Sequence, residues 1–245
     1  MKTMIFELGM ERVKERMCMR VRRKAVVSLC SILCLVTLLC GCGQSKVPQD
    51  LSVPAISVTD KGKVTAYIVE DFDKDYYDLA ELRTMVEDEL TKFNESRKNA
   101  EGEDAVMLVS LTETDFAEIA LLNETSQAAK PSKTTEVPKA VLVLEFRDVA
   151  CYEDYFGKDL FYGTVVQAQQ IGYDLNVELT SVKDGTTIGK NEIFGMGNSH
   201  ILIVQDKVRI FCPGKVQYVT SGVAVKEDGS VEPSDTEDNT YIIMK

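Results

Sequence analysis

The sequence predicts an α+β fold, made mostly of antiparallel sheet, with one long helix at about residues 78–98, two short helices and a β-rich C-terminal third. Three observations support this class. Apolar side chains recur at helical spacing between residues 78 and 98. Apolar and polar residues alternate before that helix, further strand-like runs follow it, and short strand-like runs separated by turn residues fill the last third. No repeat or boundary is visible after residue 60, so residues 62–245 are expected to form a single α+β domain.

The first predicted elements are a strand and the long helix. In KVTAYIVEDF, which starts at Lys63, apolar and polar side chains alternate as they do in a strand. The helix begins near Asp78, which forms a capping box with Glu81, and Gly102 lies beyond its end. Its apolar stripe consists of Leu79, Leu82, Met85, Val86, Leu90 and Phe93.

The middle of the chain predicts two more strands and the two short helices. DAVMLVSLTE (104–113) and AVLVLEFRDV (140–149) are the strands. Between them, TDFAEIALLNE (114–124) is compatible with either a helix or a strand, and the polar, proline-containing residues 125–139 indicate a loop. CYEDYFGKDLFYGTVVQAQQIGYDL (151–175) predicts two short helices that are separated at Gly157.

The last third contains a series of short apolar runs separated by turn residues, including a Lys183-Asp184-Gly185 turn. The runs are NVELTSV, HILIVQ, VRIFC, KVQYVT, VAVKEDGS and TYIIMK. We expect HILIVQ and VRIFC to form a hairpin around a two-residue Asp206-Lys207 turn. In that register Ile201 pairs with Cys212, which places Cys212 in the core and His200 on the opposite face.

The N-terminal segment has the features of a secretion signal. A basic cluster that ends at Lys24 precedes a run of sixteen mostly apolar residues, Ala25–Cys40. That run is shorter than the roughly 20 residues of a membrane-spanning helix and fits the apolar core of a signal peptide. We expect residues 1–41 to be the signal, with Met17 or Met19 as alternative starts. Residues 42–61, which contain prolines and no helical period, are expected to be a flexible tether.

The predicted end of the signal lies within Leu39-Cys40-Gly41-Cys42, and these residues resemble the lipobox of bacterial lipoprotein precursors. Leucine stands three residues before the predicted cleavage site, a small residue stands directly before it, and Cys42 follows it. The resemblance implies cleavage between Gly41 and Cys42 and at least a diacylglyceryl group, with acyl chains such as palmitate, on the Cys42 thiol. The segments KVTAYIVEDFDKDYYDLAEL, FYGTVVQAQQIGYDL and PGKVQYVTSGVAVK are similar to uncharacterised surface lipoproteins of clostridia-like bacteria, which implies the extracytoplasmic face of the cell membrane.

The charge of the chain excludes some partners. The net charge is −11, and without residues 1–41 the chain has 20 basic and 36 acidic side chains, a net charge of −16. Such a surface repels nucleic-acid phosphates, so no nucleic-acid partner is expected. The predicted contact with the membrane is therefore through the acyl chain on Cys42, and a protein or envelope partner is left open.

Three patterns resemble ligand or redox sites. Asp71, Asp73, Asp75 and Asp78 are close in sequence, but a calcium loop starting at Asp71 would lack the required glycine and glutamate. Gly195 and Gly197 lead into a predicted strand, which indicates a turn and not a dinucleotide loop. Cys151 and Cys212 could be joined by a disulfide outside the cytoplasm, or they could lie as thiols in the core, which the apolar register of Cys212 favours.

These observations predict a membrane-anchored surface lipoprotein with a non-catalytic binding or structural domain. We expect no enzyme activity, no catalytic residue, no metal and no cofactor, because the sequence contains neither a nucleophile motif nor a phosphate-binding loop. Two alternatives remain. One is a ligand-binding lipoprotein that serves uptake. The other is a carboxylate-based hydrolase of cell-wall or glycan substrates, for which the sequence identifies no carboxylate pair.

Overall fold

Two β-sheets carry the fold. The computed structural model describes residues 51–74, 76–114, 137–233 and 239–245. Within these ranges the helices are α1 (Leu79–Asn94), α2 (Val149–Phe156), α3 (Val165–Gln170) and α4 (Lys190–Gly195). The strands are β1 (Ala55–Val58), β2 (Val64–Asp71), β3 (Val106–Thr114), β4 (Lys139–Phe146), β5 (Leu160–Thr164), β6 (Leu179–Ser181), β7 (Thr187–Ile188), β8 (His200–Val204), β9 (Arg209–Phe211), β10 (Val216–Thr220), β11 (Ala224–Val225), β12 (Val231–Glu232) and β13 (Thr240–Met244).

The two sheets differ in strand order and direction. Sheet 1 has seven strands in the order β11-β12-β9-β1-β2-β4-β3, and only its β1–β9 pair is parallel. Sheet 2 has six strands in the order β5-β8-β13-β10-β6-β7, all of them antiparallel. The mixed, mainly antiparallel α+β class and the β-rich C-terminal region are therefore confirmed.

Sheet 2 is buried on both faces, which explains why HILIV and TYIIM are continuous apolar runs. Leu202 and Ile242 are paired across β8 and β13 and belong to the larger core, which sheet 1 also lines. Their neighbours Ile201 and Ile243 point to the other face, into a second core that α3 and α4 cover. A strand that is covered on both faces needs apolar side chains at every position.

The larger core contains a cluster of aromatic rings where β4 meets α2. Phe146 is fully buried, and its ring centroid lies 5.4 Å from those of Tyr152 and Tyr155 and 5.6 Å from that of Phe156. Such tilted and edge-on ring contacts stabilise the fold by more than the burial of apolar area alone would. Phe93 of α1 extends the cluster through an edge contact with Tyr155 at 5.0 Å.

The ends of the two longer helices follow from local sequence. Asp78 accepts hydrogen bonds from the backbone N–H groups of Ala80 and Glu81, which confirms it as the N-cap of α1. The helix ends at Asn94, four residues before the predicted end. The ending of α2 is as predicted, because Gly157 adopts the left-handed conformation (φ 61°) that closes a helix C-terminus.

Two local predictions after residue 150 are wrong. Leu160–Thr164 form strand β5 and not the start of the second short helix, which begins only at Val165. The β-branched and aromatic residues of β5 pair with β8, and that long-range pairing overrides the helical spacing. Helix α4 was not predicted; it precedes the turn at residues 196–199 that contains Gly197 and leads into β8.

The hairpin predicted for β8 and β9 is also wrong. β8 pairs with β5 and β13 in sheet 2, whereas β9 pairs with β1 and β12 in sheet 1. Ile201 therefore faces Ile243 and Gly163, not Cys212. The turn at residues 205–208 carries the chain from one sheet to the other.

The tether predicted for residues 42–61 is wrong over residues 55–58. These residues form β1, which lies inside sheet 1 between β2 and β9, and Ala55, Ile56 and Val58 are buried. Residues 1–50, with the signal and the lipobox, lie outside the described residues, as do residues 115–136, which include most of the segment that was compatible with helix or strand.

Candidate functional site

A solvent-open groove of about 450 Å³ runs between helix α1 and strand β3. The helix lies antiparallel to the strand, since Asn94 contacts Val106 at one end and Arg83 contacts Leu111 at the other. Eleven residues of helix and five residues of strand both span about 16 Å, so the two elements stay in register over this distance. We call this feature the α1–β3 groove.

Asn94 lines the groove and acts as a strand partner for β3. Its Oδ1 accepts hydrogen bonds from the N–H groups of Ala105 (2.9 Å) and Val106 (3.0 Å), and its Nδ2 donates to the carbonyl of Val106 (2.8 Å). Asn94 is buried. β3 is the last strand of sheet 1, so these are edge groups that no described strand pairs, and the amide satisfies them.

The backbone of Leu108 faces the groove without such a partner among the described residues. Because Val106 bonds to Asn94 with both its N–H and its C=O, Val106 and Phe146 form a non-hydrogen-bonded pair of the β3–β4 ladder. Bonded and non-bonded pairs alternate along an antiparallel ladder, and the register shift comes only after Leu108. The N–H and C=O of Leu108 therefore also point away from β4, and Leu108 lines the groove.

Beyond the groove lining, Arg83 holds α1 to β3 a second time, since its Nη2 donates to the carbonyl of Leu111 at 3.2 Å. Val109, which lies within the register shift, and Met107 are 58% and 51% exposed. An exposed edge strand with apolar side chains is a template for pairing with another chain. Here α1 covers both ends of that edge and leaves the middle accessible.

The rim of the groove carries an excess of negative charge. Lys98 pairs with Asp104 at 3.5 Å, and Arg83, which is not part of the lining, lies 3.8 Å from Glu87. Glu95 has no ion-pair partner among the described residues. With Glu87, Glu95 and Asp104 against the single cation Lys98, the lining side chains have a net charge of −2. The remaining lining side chains are apolar or neutral and polar, so the groove offers charge, hydrogen bonds and apolar surface to a bound molecule.

The aspartates of the rejected calcium loop have other roles. Asp71 accepts from Lys139 across the β2–β4 pair at 2.7 Å, Asp73 pairs with Lys74 at 2.9 Å, and Asp78 caps α1. Asp75 lies outside the described residues. Across the described ranges, no group of three or more His, Cys, Asp and Glu side chains is arranged to hold a metal ion.

Cys151 and Cys212 are both buried thiols of the larger core, and no disulfide joins them. Burial is the main cause that raises the pKa of Cys151 to about 11, helped by the nearby Asp148 carboxylate. Burial alone raises the pKa of Cys212 to about 12. Arg147 donates to the Cys151 Sγ at 3.3 Å. Both thiols are thus held in the protonated form at neutral pH, which disfavours nucleophilic chemistry.

The single histidine lies at the start of β8, far from the groove in chain order. His200 is exposed, and its ring is stacked on Tyr162 of β5 with centroids 5.5 Å apart and planes 15° apart. Cys42, the predicted lipidation site, lies outside the described residues.

Sequence reasoning missed the groove, although one signal for it was present. Asn94 falls four residues after Leu90 on the apolar stripe of α1, where a polar side chain must find a buried partner. The partner is the edge of β3, and this could not be predicted because the sequence does not reveal the order of the strands.

Comparison with known proteins gives no match: no protein-family model, no curated protein and no solved structure is significantly similar to this chain. None of the helices among the described residues has the length and apolarity that a membrane crossing requires.

Proposed function

We propose that this protein is a lipoprotein anchored at the extracytoplasmic face of a bacterial membrane through acylated Cys42, and that its folded part is a non-catalytic binding module. The observation that carries the anchoring is Leu39-Cys40-Gly41-Cys42, a lipobox that directly follows a basic cluster and a short apolar run. A thiol at that position receives its lipid at the bilayer surface, and two or more acyl chains hold a protein stably there.

The binding role rests on the α1–β3 groove. It combines a pair of backbone groups at Leu108 that lacks a partner among the described residues, the exposed apolar side chain of Met107 and a rim with a net negative charge. The two mature thiols, Cys151 and Cys212, are buried and protonated, and the histidine is not among the groove residues. This composition suits recognition of a ligand more than covalent catalysis.

The anchoring is tested with two variants of the full-length chain, Cys42→Ala and Cys40→Ala, expressed in a bacterium supplied with radiolabelled palmitate. We expect wild type and Cys40→Ala to take up label and to yield a mature chain that begins at Cys42. Cys42→Ala should take up none and should keep its signal. Cys40→Ala is the matched control because it changes the neighbouring cysteine and keeps a small residue in the lipobox.

Labelling of Cys42→Ala would reject Cys42 as the lipidated residue. An unlabelled wild type with an intact signal would reject the lipid anchor in favour of an uncleaved anchor helix. The uptake and hydrolase alternatives stay predictions. Release of reducing sugars from cell-wall glycan by the wild-type protein, lost in Glu87→Gln or Glu95→Gln, would contradict the non-catalytic part of the proposal.

A further inference from the structure

We infer that the α1–β3 groove binds a short, extended, cationic peptide segment of another envelope protein, which adds beside β3 as a partial strand. This inference rests on the proposed function, since it names the partner of the binding module. Peptides recognised in this way are held by main-chain hydrogen bonds, while side-chain contacts give specificity.

The main-chain bonds would come from Leu108. Its N–H and C=O both point away from β4 into the groove, so one residue of an incoming strand can form two hydrogen bonds with it. On either side of Leu108, Asn94 bonds to the N–H and C=O of Val106, and Arg83 bonds to the C=O of Leu111. These two contacts limit the open edge to about 16 Å, which corresponds to about five extended residues.

The charge of the groove selects a cationic segment. Glu95 has no ion-pair partner among the described residues, and Glu87 faces only Arg83 at 3.8 Å. Basic side chains on alternate residues of the peptide would lie against these carboxylates. Apolar side chains between them would contact the exposed side chain of Met107, which lines the same groove. The expected pattern is therefore alternating basic and apolar residues.

The same charge disfavours a second copy of this chain as the occupant. If the β3 edges of two copies paired, the Glu87 and Glu95 carboxylates of both copies would come together in the groove. Like charges brought together at an interface are repulsive and act against the wrong partner. A separate, basic partner removes this repulsion.

The experiment uses the purified full-length protein in a non-ionic detergent and two labelled probes, acetyl-Lys-Val-Lys-Val-Lys-amide and acetyl-Glu-Val-Glu-Val-Glu-amide, whose binding is followed by fluorescence anisotropy at low salt. We expect only the lysine probe to bind. Glu95→Lys should weaken its binding about ten-fold, because an attraction is replaced by a repulsion at the rim. Lysine at the end of a helix also favours the helix dipole, so this variant should fold.

The matched control is Glu227→Lys, which makes the same charge change in the loop between β11 and β12, at the other edge of sheet 1. The affinity of Glu227→Lys for the lysine probe should stay within about two-fold of wild type if local charge decides binding.

Two N-methylated lysine probes test the strand pairing. Methylation of alternate amides on one edge of the peptide should abolish binding, and methylation on the other edge should leave it.

Several results would overturn the inference. Equal binding of both probes, equal effects of Glu95→Lys and Glu227→Lys, or equal effects of the two methylation patterns would each do so. A dimer of the wild-type protein that Glu95→Lys changes, without binding of the lysine probe, would assign the groove to a second copy. Palmitate labelling of Cys42 reports on the anchor independently, so the anchor and the peptide site can fail separately.

Discussion

Replacement of Asn94 by alanine should destabilise the protein far more than an ordinary helix-end substitution. The change removes three hydrogen bonds between the α1 side chain and the β3 backbone, at 2.8, 2.9 and 3.0 Å. Two N–H groups and one carbonyl then lose their partner, and each buried unsatisfied group costs about 1–3 kcal/mol. Water from the open groove can reach part of this edge, so we take the lower end of that cost for each of the three groups. The free energy of unfolding should therefore fall by about 3 kcal/mol.

The assay is urea unfolding of the full-length protein in a non-ionic detergent, followed by far-UV circular dichroism. With a denaturant slope of about 2 kcal/mol per molar urea, the midpoint of Asn94→Ala should fall by about 1.5 M. Hydrogen exchange gives a local readout, since the amides of Ala105 and Val106 should lose protection while those of β8 and β13 keep it.

The matched control is Asn99→Ala in the turn after α1. Asn99 also uses both amide atoms, accepting from the Glu103 N–H and donating to the Glu103 Oε2, but these groups are exposed to water. We expect Asn99→Ala to lower the free energy of unfolding by no more than about 0.5 kcal/mol. If Asn94→Ala lowered the free energy of unfolding no more than Asn99→Ala, the Asn94 amide would not act as the strand partner of β3. The inferred direction of the Leu108 backbone groups, which rests on that pairing, would then be refuted as well.

Two further predictions concern Asp148 and the thiols. Burial alone would raise the pKa of Asp148, but hydrogen bonds from Cys151 and the Arg147 guanidinium outweigh it and lower that pKa. The stability advantage of wild type over Asp148→Asn should therefore be complete above about pH 4, the ordinary aspartate pKa. It should vanish as the pH falls through the lower folded-state pKa, and urea midpoints of both proteins from pH 2 to 7 check this; a constant advantage would contradict it. Cys151 and Cys212 should resist iodoacetamide at pH 8 in the folded protein and both react in urea without reductant, as counted by intact mass. Alkylation in urea that requires a reductant would show a disulfide instead.

Local chemistry made several elements predictable. The apolar stripe and the Asp78 cap located the start of α1 because a helix of this length is specified by neighbours three and four residues apart. Strand β2 was predicted from its alternating apolar and polar residues, and β3 and β4 were predicted from short runs rich in apolar and β-branched residues; both patterns are also local. Gly157 ended α2 as predicted because the left-handed conformation it adopts is cheap only for glycine.

Alternation shows which residues of a strand share a face but does not identify the strand's neighbour. HILIVQ and VRIFC are close in sequence, which favoured a hairpin, yet β8 and β9 lie in different sheets. The same limit applies to residues 55–58, which belong to a segment whose prolines, Pro48 and Pro54, and lack of a helical period suggested a tether. Their burial in β1 comes from β2 and from β9, which is about 150 residues further along the chain.

By itself the sequence determined the α+β class, strands β2, β3 and β4 of sheet 1, the cap of α1 and the residues on which the proposed lipid anchor at Cys42 rests. Only the tertiary structure decided that β3 is the last strand of sheet 1 among the described residues, that Asn94 pairs with it and that the backbone of Leu108 faces a groove. The physical reason is that an edge is defined by the absence of a neighbouring strand. That property depends on how all the strands of a sheet are ordered, and strand order arises from pairings between distant segments.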